Sequence, residues 1–360
     1  PEFIAEFVDS FVECECQRIC SFKVEDMEGL ERDIVSSLLR AAKTVFQNAS
    51  YGGKEKCHVI SLHLSNLLLR LPQLDMRILG LRELNDMIGD VSASTFSPRS
   101  VKAVPEMVRW LEDNKVIDVL FDIKTVHPEI EKRAAPILQF LAQNNALSNS
   151  QLELVWKCAT KPGIGDALQG ATYDLLVALS PTLSNKLWQY LDSLFSSLNL
   201  VSLTSTASSS ELFHAFLVNF LKRAASSSRF VLNQHLAEPS STFVPPCCLT
   251  FIWCVLIREC HDKNVSQEAL NVLNAFCDAI LSVPTAKRAS VFSDKVCEHF
   301  LGLALDGVVE GSNCSPFLMF LARFFCNAHT TVAKYEQEQV FTKQTLKFVQ
   351  EKGMIDILLE

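Results

Sequence analysis

The densest group of chemically capable side chains is the run Cys-Glu-Cys-Gln-Arg-Ile-Cys at 14–20, in a chain with 13 cysteines and 8 histidines. Cys14, Cys16 and Cys20, with His58 as a fourth donor, could offer three thiolates and an imidazole, a set that suits zinc. The spacing argues against it, because structural zinc sites pair closely spaced cysteines with a matching second pair, and none follows here. Cys326 and His329 share a helix face but lack a third and fourth ligand. Cys57-His58 and Cys260-His261 join a nucleophile to a base only in sequence. Neighbours on a helix point ~100° apart, so neither pair is a catalytic dyad by itself. Gly163, Gly165 and Gly170 in "GIGDALQG" miss the dinucleotide-binding spacing and follow no predicted strand, which leaves a loop and a packed helix glycine. The chain has no G-x-S-x-G elbow, no H-E-x-x-H and no G-x-x-x-x-G-K-[ST] frame. We therefore assign no catalytic residue, no cofactor and no metal ligand. The odd number of cysteines, their scatter inside apolar runs and the lack of a secretory leader predict reduced, buried thiols in a cytosolic or nuclear chain.

The elements that hold these residues read as one helix after another. Met27, Leu30, Ile34, Leu38, Ala42 and Val45 recur at steps of three and four, which predicts one helix with one apolar face. Leu74, Ile78, Leu81, Leu84 and Ile88 repeat the pattern. Pro128 suits a first helical turn, where its missing N–H is unpaired anyway, and Ile130, Ala134, Ile137 and Leu141 follow it. Pro136 is predicted to break or kink that helix. Ser148 with Gln151 forms a capping box before Leu152, Val155 and Trp156. Ser184 caps the run Leu187, Leu191, Phe195 and Leu198.

One phrase occurs twice. "WLEDNKVIDVLF" at 110–121 and "FVQEKGMIDILLE" at 348–360 share an apolar pair, a polar interruption and a Val/Met-Ile-Asp-Val/Ile-Leu run. A residue such as Asn or Gly at the interruption tolerates the left-handed conformation that ends one helix before the next begins. From 110 to 348 is 238 residues, room for about five or six units of the ~40–47 residues typical of armadillo and HEAT repeats. The fold predicted is all-α, an armadillo/HEAT-like α-solenoid of stacked antiparallel helices. The Ser/Thr-rich stretch 196–211 divides it into a segment 1–205 and a segment 206–360, and 225–246 is a second long connection. The final helix is predicted to be cut within a repeat, leaving an apolar end through which copies self-associate.

Charge and composition narrow the partners. Only 12 Gly and 4 Tyr occur, a poor supply for β-turns and strands. The net charge of −8 is concentrated early, with ten acidic and five basic residues in the first fifty. With no basic stripe to release counterions, no nucleic-acid partner is expected. The most apolar run, "FVPPCCLTFIWCVLIREC", stops short of the ~18–20 uncharged residues that would cross a bilayer. No membrane insertion is expected.

Residues 137–198 resemble the non-catalytic helical region upstream of the protease domain in the very large fat-facets-type ubiquitin-specific proteases. The resemblance rests on the Leu-x-x-x-Trp-Lys frame at Leu152, Trp156 and Lys157, on "TYDLLVALSPTLS" at 172–184, and on the corner "MVRWLEDNKVIDVLF" before them. It departs at Lys161-Pro162-Gly163, where the family has a Gly-Lys-His-Glu-like turn, and at Pro136. Both catalytic boxes of the family, a Cys in an Asn/Gly-rich frame and a His in a Gly/Tyr-rich frame, are missing, so no catalytic residue carries over. The resemblance implies a non-catalytic scaffold that recruits protein substrates or regulators for deubiquitination, in a parent that is a thiol protease with its catalytic domain elsewhere. The alternative is an independent armadillo/HEAT-type adaptor or transport scaffold with no attached enzyme.

Overall fold

The structure, a computed structural model, describes residues 2–47, 53–93, 100–160 and 163–184 continuously, with isolated positions between 186 and 322. The chain divides into two compact units, Pro1–Leu175 and Leu176–Glu360. The boundary expected near 205, the connection 225–246, the apolar run 243–260 and the second copy of the repeated phrase all lie outside the described residues.

In the first unit helix follows helix: α1 (Glu2–Cys20), α2 (Val24–Met27), α3 (Arg32–Gln47), α4 (Gly53–Leu69), α5 (Leu74–Ala93), α6 (Ser100–Asp113), α7 (Val116–Leu120), α8 (Pro128–Gln143) and α9 (Asn149–Thr160), with α10 (Asp166–Leu179) beginning in this unit. All regular structure among the described residues is helical. α5 sits centrally, packed most extensively on α4 and next on α8. It comes very near α4 at Gly80. A Cβ built there would lie 2.8 Å from Leu68 Cβ and 2.9 Å from the Ser65 carbonyl oxygen, so only glycine lets the two backbones come this near. In the second unit, Leu179, Leu183, Leu187 and Leu191 are buried. There Phe213, Phe216 and Phe220 lie ring against ring, with centroids 6.0 and 5.5 Å apart.

The terminators predicted from sequence are present. Pro128 opens α8, and the residue before it, His127, accepts the Glu129 N–H on Nδ1 at 3.1 Å. Before α9 the Ser148 N–H donates to Gln151 Oε1 at 2.9 Å and the Gln151 N–H returns to Ser148 Oγ at 3.3 Å, so both halves of the capping box are made. Ser184 Oγ accepts from the Leu187 N–H at 3.4 Å. The corner at 110–121 is a helix–turn–helix, but its left-handed residue is Lys115 (φ 50°, ψ 42°) rather than Asn114. Asn114 instead uses its amide: Nδ2 donates to the Trp110 carbonyl at 2.9 Å, and Oδ1 accepts from Asn66 Nδ2 at 2.8 Å.

Two expectations fail. The helix predicted from Met27 to Val45 is two helices, because Gly29 (φ 83°) breaks it after α2. The restart shifts the face by one residue, so α3 buries Val35, Leu39 and Phe46 while Leu30, Ile34 and Val45 stay exposed. Of the break or kink expected at Pro136, the break does not occur: α8 runs on to Gln143. Pro136 and Lys132 are both exposed, so water can reach the carbonyl that loses its i+4 donor.

Candidate functional site

The long-range polar contacts follow a period. His63 Nε2 meets the Phe22 carbonyl at 3.1 Å, 41 residues away; Arg77 Nη2 donates to the Val119 carbonyl at 3.3 Å, 42 away. Arg70 Nη2 donates to the Asn114 carbonyl at 2.7 Å, 44 away, and Asn85 Nδ2 to the Arg133 carbonyl at 2.8 Å, 48 away. Those separations match one repeat of ~40–47 residues. Each bond therefore joins a position in one repeat to nearly the same position in the next. Lys43 with Glu83 adds an ion pair of the same reach. Arg77 is the most committed member: it is buried on α5, its Nη1 also donates to the Thr125 carbonyl, and burial lowers its pKa against the opposing effect of Asp122. It clamps the chain that leaves α7.

The candidate zinc ligands do not come together. Cys16 and Cys20 pack against the core of α1–α5, and the Cys20 thiol is pushed up to about 11 by burial and by the neighbouring Cys16. Cys14 is exposed on another face of α1, contrary to its expected burial. His58 is influenced by Asp90 and Glu106, on α5 and α6, while burial lowers its pKa. Cys57 hydrogen-bonds to Ser61 and feels Lys43 and Glu83, with burial raising its pKa. The two neighbours thus have different surroundings, as residues 100° apart on a helix must. Among the described residues no three His, Cys, Asp or Glu side chains are grouped to hold a metal ion. Cys260, His261, Cys326 and His329 lie outside the described residues. Gly163 takes a positive φ of 83° in the turn before α10; a Cβ at Gly165 or Gly170 would meet nothing within 4 Å. Gly170 is therefore not the packed glycine expected of it. That role belongs to Gly80, which lies in an unbroken helical pattern and gave no sequence signal beyond being glycine.

Sequence reading also passed over Glu131, which is fully buried on α8. Thr172 Oγ1 lies 2.9 and 2.8 Å from its two carboxyl oxygens, and the Cys158 thiol also hydrogen-bonds to it. Burial pushes the Glu131 carboxyl up to about 7 and the Cys158 thiol up to about 12. A buried thiol beside a carboxyl, its Sγ 3.7 Å from the Phe121 carbonyl, is the reverse of an activated nucleophile, which needs a positive or basic neighbour. Beside this cluster Trp156 and Tyr173 pack with centroids 6.5 Å apart at 44°, and Gln169 Nε2 donates to the Ala159 carbonyl at 3.0 Å. Two of the three features that carried the family resemblance, the Leu-x-x-x-Trp-Lys frame and the start of the 172–184 run, thus meet in one buried seam between α8, α9 and α10. Lys157 points outward and pairs with Glu153 at 2.8 Å.

That seam falls within residues 55–234, which match the family described as the UBP24/USP9X/USP9Y ARM repeat. The chain belongs to this ARM-repeat family. Its fold is accordingly all-α and armadillo-like, and the bonds of Arg70, Arg77 and Asn85, which span about one repeat length, fall within the matched residues. The chain is also similar to ubiquitin carboxyl-terminal hydrolase 34 of Homo sapiens, 31% identical over 104 residues that make up 28% of this chain and 3% of the relative. The protein of the same name from Mus musculus matches with the same figures. The chain spans about 3% of the length of these curated relatives. What the family description names is the repeat. Among the described residues no helix is long and apolar enough to cross a membrane.

Proposed function

We propose that this chain is a non-catalytic scaffold within a large cysteine-type ubiquitin hydrolase of the cytosol or nucleus, and that it recruits protein substrates or regulators for deubiquitination. The observation that carries the reading is the ARM-repeat match over residues 55–234, joined by similarity to proteins named ubiquitin carboxyl-terminal hydrolases. The physical support is stiffness. Stacked repeats bury their faces only against one another, and bonds from Arg70, Arg77 and Asn85 into the next repeat resist sliding between layers. A stiff layered surface presents partner-binding residues without a large ordering cost. The acidic balance and the lack of a basic stripe favour protein over nucleic acid as the partner.

The test is made in the parent protein. Removing residues 55–184 should leave hydrolysis of a ubiquitin C-terminal fluorophore intact while proteins that coprecipitate with the full-length parent are lost. Retained coprecipitation, or loss of the fluorophore hydrolysis itself, would overturn the scaffold reading. The isolated chain should leave a ubiquitin probe that traps catalytic cysteines unmodified.

A further inference from the structure

Glu131 is a fully buried carboxyl on a helix whose other charges face water and pair with one another: Glu129 bonds to Lys132 at 3.2 Å and to Arg133 at 2.5 Å. The neighbouring elements bring it no cation among the described residues. From α9 comes the Cys158 thiol, while Glu153 and Lys157 pair on the surface; from α10 comes the Thr172 hydroxyl, with Asp166 and Asp174 exposed. From α7 and the turn after it, Asp118, Asp122 and Lys124 are exposed. On α5, Arg77 is committed to the Val119 and Thr125 carbonyls and Glu83 to Lys43.

Counting protons decides which form of the acid this pocket fits. Thr172 Oγ1 lies 2.9 and 2.8 Å from the Glu131 oxygens and 2.9 Å from the Leu168 carbonyl, yet a hydroxyl has one proton to give. With Glu131 protonated, two protons serve the group: the carboxylic acid O–H donates to Thr172 Oγ1 from one oxygen, and Thr172 O–H is free to donate to the Leu168 carbonyl. With Glu131 ionised, Thr172 must turn its proton to the carboxylate and the charge stays buried with only neutral donors around it, an arrangement that costs several kcal/mol in general.

We propose that Glu131 is a built-in proton switch, holding a proton while the first half of α10 is docked on α8 and loosening that docking when the proton leaves. The carboxyl's upward displacement to about 7 places the change near neutrality. In this range the native state holds a proton that the unfolded chain has released. The stability tied to Glu131 is therefore complete below the ordinary carboxylate range and is lost as pH rises through about 7. The size of the displacement corresponds to a change on the order of 100-fold in the folding equilibrium constant across that window.

Urea denaturation of the chain and of Glu131→Gln, which mimics the neutral acid, tests this from pH 5 to pH 8. The variant should come closest to the wild type at the acid end and be the more stable at pH 8, with the gap opening up to about pH 7 and levelling above it. A gap that is the same at every pH, or a variant less stable at pH 8, would overturn the proposal. Should the variant not fold, the wild-type protein with 13C-labelled glutamate side chains still decides. One carboxyl resonance should titrate near 7, and hydrogen exchange at 168–173, corrected for intrinsic rate, should be faster at pH 8 than at pH 6. All carboxyls titrating below pH 5, or unchanged corrected exchange, would rule it out.

Discussion

Helices α3 and α8 are both 16 residues long, and both carry apolar residues at helical spacing, but they use them differently. On α8 the predicted face of Ile130, Ala134, Ile137 and Leu141 is wholly buried. α8 is packed by α5 on one side and α7 on another, and Glu131 reaches Thr172 of α10. α3 has two apolar stripes side by side. Val35, Leu39 and Phe46 enter the core, whereas Ile34, at 54% exposure, and Val45, at 44%, do not. Apolar spacing marks the faces a helix is able to bury, and its neighbours select among them. α8, covered by α9 and α10 as well, buries even a carboxyl, whereas α3, packed on α4 and α5, leaves Ile34 and Val45 in water.

That contrast can be broken most sharply by truncation. Trp156→Ala, in the seam against Tyr173, should cost about 3–5 kcal/mol in urea denaturation, whereas Ile34→Ala should stay within about 0.5 kcal/mol. Equal costs would mean that α3's outer stripe is as buried as the seam. The next largest effect is expected at glycines. Gly80→Ala forces a Cβ onto Leu68 Cβ and the Ser65 carbonyl and should lose about 1–3 kcal/mol, the range of overpacking. Gly170→Ala faces open space within α10 and should instead gain up to about 1 kcal/mol from helix propensity, so the two melting temperatures should move in opposite directions. The smallest effect sharpens the comparison at helix ends. Ser148→Ala removes the acceptor for the Gln151 N–H and should cost about 1 kcal/mol, with local hydrogen exchange rising at the start of α9.

The family was legible because its signal is local. Leu152, Trp156 and Lys157 lie within a turn and a half of helix, and their spacing survives wherever the helix is placed. Glu131 was invisible for the opposite reason: flanked by Glu129, Lys132 and Arg133, it reads as one more solvated charge. Only α9 and α10, folded over α8, turn it into a buried acid.

Read alone, the sequence determined the helical class, the capping box at Ser148, the proline start of α8, the corner at 110–121 and the absence of any recognisable catalytic frame. These depend on contacts within a few residues, where hydrogen-bond geometry and side-chain period leave few alternatives. The tertiary structure decided the rest: which stripe of α3 is core, that Lys115 takes the left-handed position at the corner, that Gly80 is the close contact, and that Arg77 and Glu131 are buried. Arg77 and Glu131 are set by residues about one repeat away and Gly80 by the helix before its own, through desolvation and steric exclusion that no local pattern records.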